Sequence, residues 1–432
     1  MSQLAKTSSS VYERIARYLV YALLIGMPFH ALVVIVLGNS VGYQSYFQAW
    51  KELLAMALLV CALAISMMRF EMTKRLITTP SNVVALIIIV LGLFLTLLNG
   101  VPLIPATFGI KVVLLPLVLY LAVQLAGVRI NQTVLIKIVL WPSYAVAVLA
   151  LLQEYIIPLS WWTALGYNSS TILPIQLVDP AVKSIRAFAS LGGPNQLGAY
   201  LILPTVLGGV LAMKERNWRY ALGSTLTLGG LVVSFSRSAW LGLAIALVSS
   251  VLLLGNKFFR IATIVAVGLS ICILLVSSSM LPQYLQNTKL QYFLLHGRYN
   301  QSQQIEGSDV GRNSAQQKAI TTIVSEPWGH GLGTAGPASF RAAQPLITES
   351  WYLQIGLELG VLGAGLFLIF FVTNGFVLAR IASPLSLALA ATLAGLTATN
   401  VFLHAWADST LGIVLFILMG LLANERPSKD RS

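Results

Sequence analysis

Runs of almost unbroken apolar residues, parted by short polar or Gly- and Pro-bearing breaks, fill most of the chain. A helix needs roughly 17 to 25 such residues to cross a hydrocarbon core of about 30 Å. The pattern predicts twelve crossing helices, near 15–37, 48–68, 83–98, 106–126, 134–157, 196–213, 219–235, 238–254, 258–278, 351–379, 385–400 and 402–422. The pair across 219–254 is interrupted only by Ser-Phe-Ser-Arg-Ser, which predicts a tight turn or a buried break. Two connections are long, 158–195 and 279–350. Loops beyond about 15 residues inside a compact protein usually serve a function or lack order. Within the second, 312–325 has the pattern of an amphipathic helix. The expected organisation is nine helices with the first long loop (1–278), the second long loop (279–350), and three helices with a polar tail (351–432).

Composition turns this pattern into a class. Hydrophobic residues are 57% of the chain and charged residues 9%, where a soluble domain carries about 25% charged. Such a chain cannot cover its surface with polar groups. A soluble enzyme, a disordered protein and a secreted disulfide scaffold are excluded, and the expected fold is an all-α polytopic membrane protein. The 27 Lys and Arg against 14 Asp and Glu give a net charge of +13. No basic patch sits on a soluble domain, so the excess points to membrane topology and not to nucleic acid. With the N-terminus inside, the short inner loops carry Arg69, Lys74 and Arg75, then Arg129 and Lys137, then Lys214, Arg216 and Arg219, then Lys257 and Arg260, and finally Arg380. The turns 38–47 and 99–105 carry no charge. This positive-inside pattern places both termini in the cytoplasm. The first apolar run reads as a span and not as a cleavable leader.

Five cations depart from the rule and project to the outer side. Lys51 opens the second helix, Lys111 lies just inside the outer end of the fourth, and Arg186 precedes Gly-Gly-Pro-Asn at 192–195. Arg237 centres Ser-Phe-Ser-Arg-Ser-Ala-Trp, and Arg312 opens the expected loop helix. Charge at the membrane boundary is retained when it snorkels, pairs or works. Lys51 has a ready partner in Glu52, and Lys111 is placed to snorkel. Several guanidinium groups converging at that depth would favour a dianion, because Arg grips phosphate oxygens bidentately and keeps its proton. Glu349, where the long loop re-enters the membrane, could take a proton from a sugar hydroxyl, or could pair with one of the arginines. Glu358 and Asp408 read as hydrogen-bonding residues of the bundle interior, His404 as a packed interfacial residue and His330 as part of a Gly-rich turn. Cys61 and Cys272 lie in apolar runs and suggest no disulfide or metal site. The chain has no P-loop, HExxH or GxSxG motif. No cofactor or metal is expected.

The segments around these residues resemble those of the O-antigen ligase and O-antigen polymerase superfamily. The likeness rests on Arg186 with Gly-Gly-Pro-Asn, on Ser236-Arg237-Ser238 with Ala-Trp-Leu-Gly, on Arg312 followed by Pro327-Trp328-Gly329-His330-Gly331-Leu332-Gly333, and on Glu349-Ser350-Trp351-Tyr352-Leu353 with Glu358-Leu359-Gly360 and Gly363. It implies a GT-C-like, all-α membrane fold and a glycan donor carried on undecaprenyl diphosphate. It also implies a metal-independent, inverting transfer to an acceptor hydroxyl at the periplasmic or outer face of the bacterial plasma membrane. Arg186, Arg237 and Arg312 would hold the diphosphate with Lys111 and Lys51, and Glu349 would be the general base. Ligases of the superfamily typically carry His-Asn where this chain has Glu349-Ser350, a departure that tilts the expectation toward a polymerase or another acceptor. The alternative is a transporter or flippase for a lipid-linked or anionic substrate, since twelve spans suit that architecture too.

Overall fold

The computed structural model describes residues 3–42, 44–179, 182–255, 298–299, 305–306, 308–341 and 345–425. Its helices in chain order are α1 (Gln3–Gly26), α2 (His30–Val41), α3 (Gln44–Gln48), α4 (Trp50–Met68), α5 (Phe70–Ile77), α6 (Pro80–Leu98), α7 (Leu103–Leu125), α8 (Gln132–Tyr155) and α9 (Leu159–Ala164). They continue with α10 (Pro194–Glu215), α11 (Trp218–Val232), α12 (Arg237–Leu254), α13 (Ser308–Ser325), α14 (Trp351–Ile381), α15 (Pro384–Thr399) and α16 (Ser409–Ala423). A short antiparallel ribbon, β1 (Leu177–Asp179) with β2 (Val182–Ile185), lies in the first long connection.

Among the described residues, eight helical segments are long and apolar enough to cross a membrane, counting Val11–Val41 as one. They coincide with eight of the expected spans. The expected span 258–278 lies outside the described residues, as does Cys272. Two expectations are corrected in length: the 219–235 span is the 15-residue α11, and the 402–422 span starts only at Ser409. The 385–400 helix keeps its expected length as the 16-residue α15, short of a full span. The apolar stretch 401–408 instead makes a loop with a single 3₁₀ turn, because Asp408 caps α16 by accepting from the Leu411 N–H at 3.0 Å.

Helices α10, α15 and α16 form the centre, with most of their residues buried. Small residues permit this. Gly242 of α12 and Gly395 of α15 bring their backbones together, and an added Cβ at Gly395 would stand 2.2 Å from the Gly242 carbonyl oxygen. Such contacts replace the hydrophobic effect as the glue between helices in lipid. The aromatic set Trp351, Phe367, Phe370, Phe371, Trp406 and Phe416 closes one side of this centre.

Two ends of the bundle differ in chemistry. At one, Arg69 pairs with Glu13, Gln132 donates to Glu425, and Asn424 reaches the Gln124 carbonyl. The other end gathers the starts of α4, α7, α10, α12, α14 and α16 together with the two long connections. We call it the site end.

Candidate active site at one end of the bundle

Arg186 is fixed by backbone as much as by side chain. Its N–H donates to Gln176 at 2.6 Å, and the next N–H, of Ala187, donates to Val233 at 3.0 Å. The guanidinium then donates from Nη2 to Asn195 Oδ1 (2.8 Å) and from Nε to the Ser234 carbonyl (3.3 Å). Asn195 is available because Gly193 and Pro194 start α10 just before it. Ser234 belongs to the turn between α11 and α12, which is buried as the sequence allowed. Gly198 admits that turn: a Cβ there would lie 2.7–3.0 Å from Ala239, Ser234 and Ser236 side-chain atoms.

The N-termini of α10 and α12 therefore converge, with Arg186 and Arg237 beside them. Helix N-termini carry about half a positive charge and exposed N–H groups, a ready anion site. Burial first, and the neighbouring Arg237 charge second, push the Arg186 guanidinium below its ordinary value. Two cations beside two positive helix ends suit an anionic ligand.

Glu349 stands on the adjoining loop, half-buried and at a φ of +52°. Around it the chain is tied down: Trp351 N–H donates to Asn400 and Leu403 carbonyls, and Thr348 Oγ1 lies 3.2 Å from His404 Nε2. Burial holds His404 down to about 4, so at neutral pH it is an uncharged partner, consistent with its expected packed role. Thr399, one residue before Asn400, donates to the Ser238 carbonyl at 3.1 Å. The Glu349 loop is thereby linked through α15 to the start of α12 where Arg237 sits. Five described non-glycine residues have positive φ. Arg216 and Ala382 cap helix C-termini, where this is ordinary. The other three, Ala189, Phe235 and Glu349, lie on the three loops of this site, and local strain concentrates at functional sites.

The Gly-rich run 327–336 is threaded into the bundle. Gly360 breaks α14 with φ +72°, ψ −179°, and Pro327 accepts from the Val361 N–H at 3.0 Å. The His330 and Gly331 N–H groups donate to the carbonyls of Leu357 and Glu358 (both 2.8 Å), and Leu332 N–H donates to Thr96 Oγ1 (2.9 Å). Glu358, fully buried, accepts from the Gly333 N–H at 2.8 Å, the Ala335 N–H at 3.4 Å and Gln354 Nε2 at 3.3 Å. Its expected role as an interior hydrogen-bonding residue thus has named partners. The motif glycines are needed for close approach: a Cβ on Gly333 would stand 2.0 Å from the Pro105 carbonyl oxygen, at a φ of +90°.

Lys51 and Lys111 form a separate group. Both approach Glu52, Lys51 at 3.9 Å and Lys111 in direct contact. Lys51 also contacts His30, whose Nδ1 accepts from Trp50 Nε1 at 2.9 Å, and Asp408 lies within electrostatic reach. The pairing expected of Lys51 with Glu52 is present, and Lys111 shares the same carboxylate instead of only reaching toward the interface. The described contacts thus join Arg186 with Arg237, and Lys51 with Lys111. Arg312 is the fifth residue of α13 and not its first; its side chain lies outside the described residues. Sequence reasoning passed over His30, Gln153 and Thr348. Gln153 Oε1 accepts from the Phe188 and Ala189 N–H groups at 3.0 and 2.7 Å and so holds the Arg186 loop. A buried Gln at the end of an apolar helix was the visible signal.

Apolar helices repeatedly long enough to span, and a polar, strained, cation-bearing end, define a multi-pass membrane protein with one chemically distinct face. Residues 222–368 match the family model described as O-antigen ligase. The match contains Arg237, Arg312, Glu349 and Glu358; Arg186, Lys51 and Lys111 precede it. No curated protein matches the chain.

Proposed function

We propose that this protein is a glycosyltransferase of the bacterial plasma membrane, moving a glycan from undecaprenyl diphosphate to an acceptor hydroxyl in surface-polysaccharide assembly, with its site end at the periplasmic or outer face. The observation that carries the proposal is the pair Arg186 and Arg237 at two converging helix N-termini. A diphosphate at the headgroup boundary suits two cations set beside two positive helix ends. Arg186, Arg237 and Arg312 hold it and stabilise the charge that develops on the leaving oxygen. Lys51 and Lys111, shared with Glu52, add positive field more than contact.

Glu349 is the base. The acceptor oxygen attacks the anomeric carbon as its proton passes to the Glu349 carboxylate, and the bond from that carbon to the diphosphate oxygen breaks. Attack from the face opposite the diphosphate inverts the anomeric centre. The protonated Glu349 returns its proton to water. A carboxylate in place of the ligases' His-Asn favours chain extension, with a second lipid-linked glycan as acceptor. The test is transfer in membranes with purified lipid-linked donor. Glu349→Gln keeps the size but cannot take the proton, and should lose about 10²–10⁴-fold in turnover while donor binding persists. Glu349→His should keep part of the activity. Near-normal turnover by the Gln variant would remove Glu349 from the chemistry.

A further inference from the structure

Helix α13 shows three faces. Ala319 is buried and Ile323 packs against the α14 half that holds Gly356 and Leu357. Lys318, Thr321 and Ser325 are exposed on the far side. Between these faces runs a third: Ile320 is 50% exposed and Val324 77%, and Trp328 beyond the helix end is 82% exposed. A solvated loop helix has no reason to present an aliphatic and aromatic stripe of this kind beside a polar one.

The neighbours of Trp328 say where the stripe lies. The Pro327 carbonyl accepts from the Val361 N–H, and the Gly329 carbonyl accepts from Asn99 Nδ2 at 3.4 Å. Asn99 caps α6 directly after Leu97 and Leu98, both largely exposed, and Val361 and Leu362 are exposed on the other flank. Beyond the break at Gly360, Val361–Ile381 is long enough at 1.5 Å per residue to cross about 30 Å of hydrocarbon. Leu98 and Val361 thus mark one depth, the rim of the apolar layer, and Trp328 is held between them by the bonds of its two chain neighbours. Tryptophan favours that depth, with its ring among the first acyl carbons and its N–H among headgroups.

We infer that α13 is an interfacial helix, its Ile320–Val324–Trp328 stripe immersed in the rim of the lipid leaflet at the site end and its Lys318 and Ser325 face in water. The occupant of the apolar stripe is phospholipid acyl chain, because the stripe is continuous with the lipid-facing ends of α6 and α14. This placement does not depend on what reaction the chain performs. Depth is measured without substrate, so this inference and the transferase proposal fail independently.

The experiment uses the full chain in phosphatidylcholine nanodiscs, with Cys61 and Cys272 replaced by Ala. Spin labels are attached at Ile320→Cys, Val324→Cys, Lys318→Cys and Ser325→Cys. The ratio of oxygen to nickel-chelate collision should be severalfold higher at 320 and 324 than at 318 and 325. Equal nickel access at all four positions overturns the inference, and so does shielding of 320 and 324 from both agents, which would mean protein packed over the stripe. A second readout avoids labels. Brominated lipid should quench a part of the tryptophan fluorescence that disappears in Trp328→Phe; an unchanged quenched fraction counts against the proposal.

Discussion

A guanidinium held by two acceptors in fixed directions is not replaceable by charge alone. Arg186 donates from Nε and Nη2 to a backbone carbonyl and to an amide oxygen on different elements. Lysine has one ammonium on a flexible stem and cannot reach both while facing a ligand. Arg186→Lys should therefore keep expression and lower transfer, chiefly through weaker donor binding, so that the donor KM rises more than kcat falls. Wild-type kinetics in Arg186→Lys, assayed at matched protein levels, would leave Arg186 as a loop tether. The arginine was visible in the sequence as a cation before Gly-Gly-Pro-Asn. Its partners were not, because Ser234 is 48 residues away in the chain and Asn195 could have faced any neighbour.

At the scale of elements, the break in α14 is the device that organises the site. A uniform apolar pattern over 351–379 predicts one straight helix, and neither Glu358 nor Gly360 stops such a pattern. The φ of +72° at Gly360 releases the N-terminal half to meet the Asn400 loop while the C-terminal half crosses. The freed backbone groups are taken up by 327–331, and Glu358 satisfies the two N–H groups that follow. Glu358→Leu would leave the Gly333 and Ala335 N–H groups buried without their acceptor, at about 1–3 kcal/mol each. The expected result is a lower melting temperature in detergent, measured by the loss of the monodisperse chromatographic peak on heating. Glu358→Gln keeps an acceptor oxygen and should recover most of that loss. Equal stability of Leu and wild type would show that water enters this layer. The amphipathic expectation for 312–325 met a similar complication: the helix exists, but its apolar residues divide between a packed face and an exposed stripe.

For the whole molecule, the alternation of helices puts every site loop at one end and Lys214–Arg216 at the other. If the basic loops are cytoplasmic, an impermeant thiol reagent applied to intact cells with a permeable outer layer should label Ser325→Cys and spare Lys214→Cys. Labelling of both from the same side would reject the arrangement. The described bundle also explains why α15 and α16 fall short of full span length yet stay in place: most of their residues are enclosed by other helices instead of lipid.

The sequence by itself determined the class of protein, the positions of most of the long helices and the cations that depart from the inner-loop pattern. It could do so because the cost of placing polar groups in hydrocarbon acts on every residue locally, and so leaves its record in linear order. Tertiary structure alone decided which of those charges meet. Arg186 joins Arg237 because Gly198 lets two helix starts touch, whereas Lys51 and Lys111 share Glu52 between α4 and α7. It also decided where apolar runs stop being helices, at Gly360 and at 401–408, since those ends depend on backbone partners distant in the chain. Pairing across such distances is a property of packing, and no local pattern of residues encodes it.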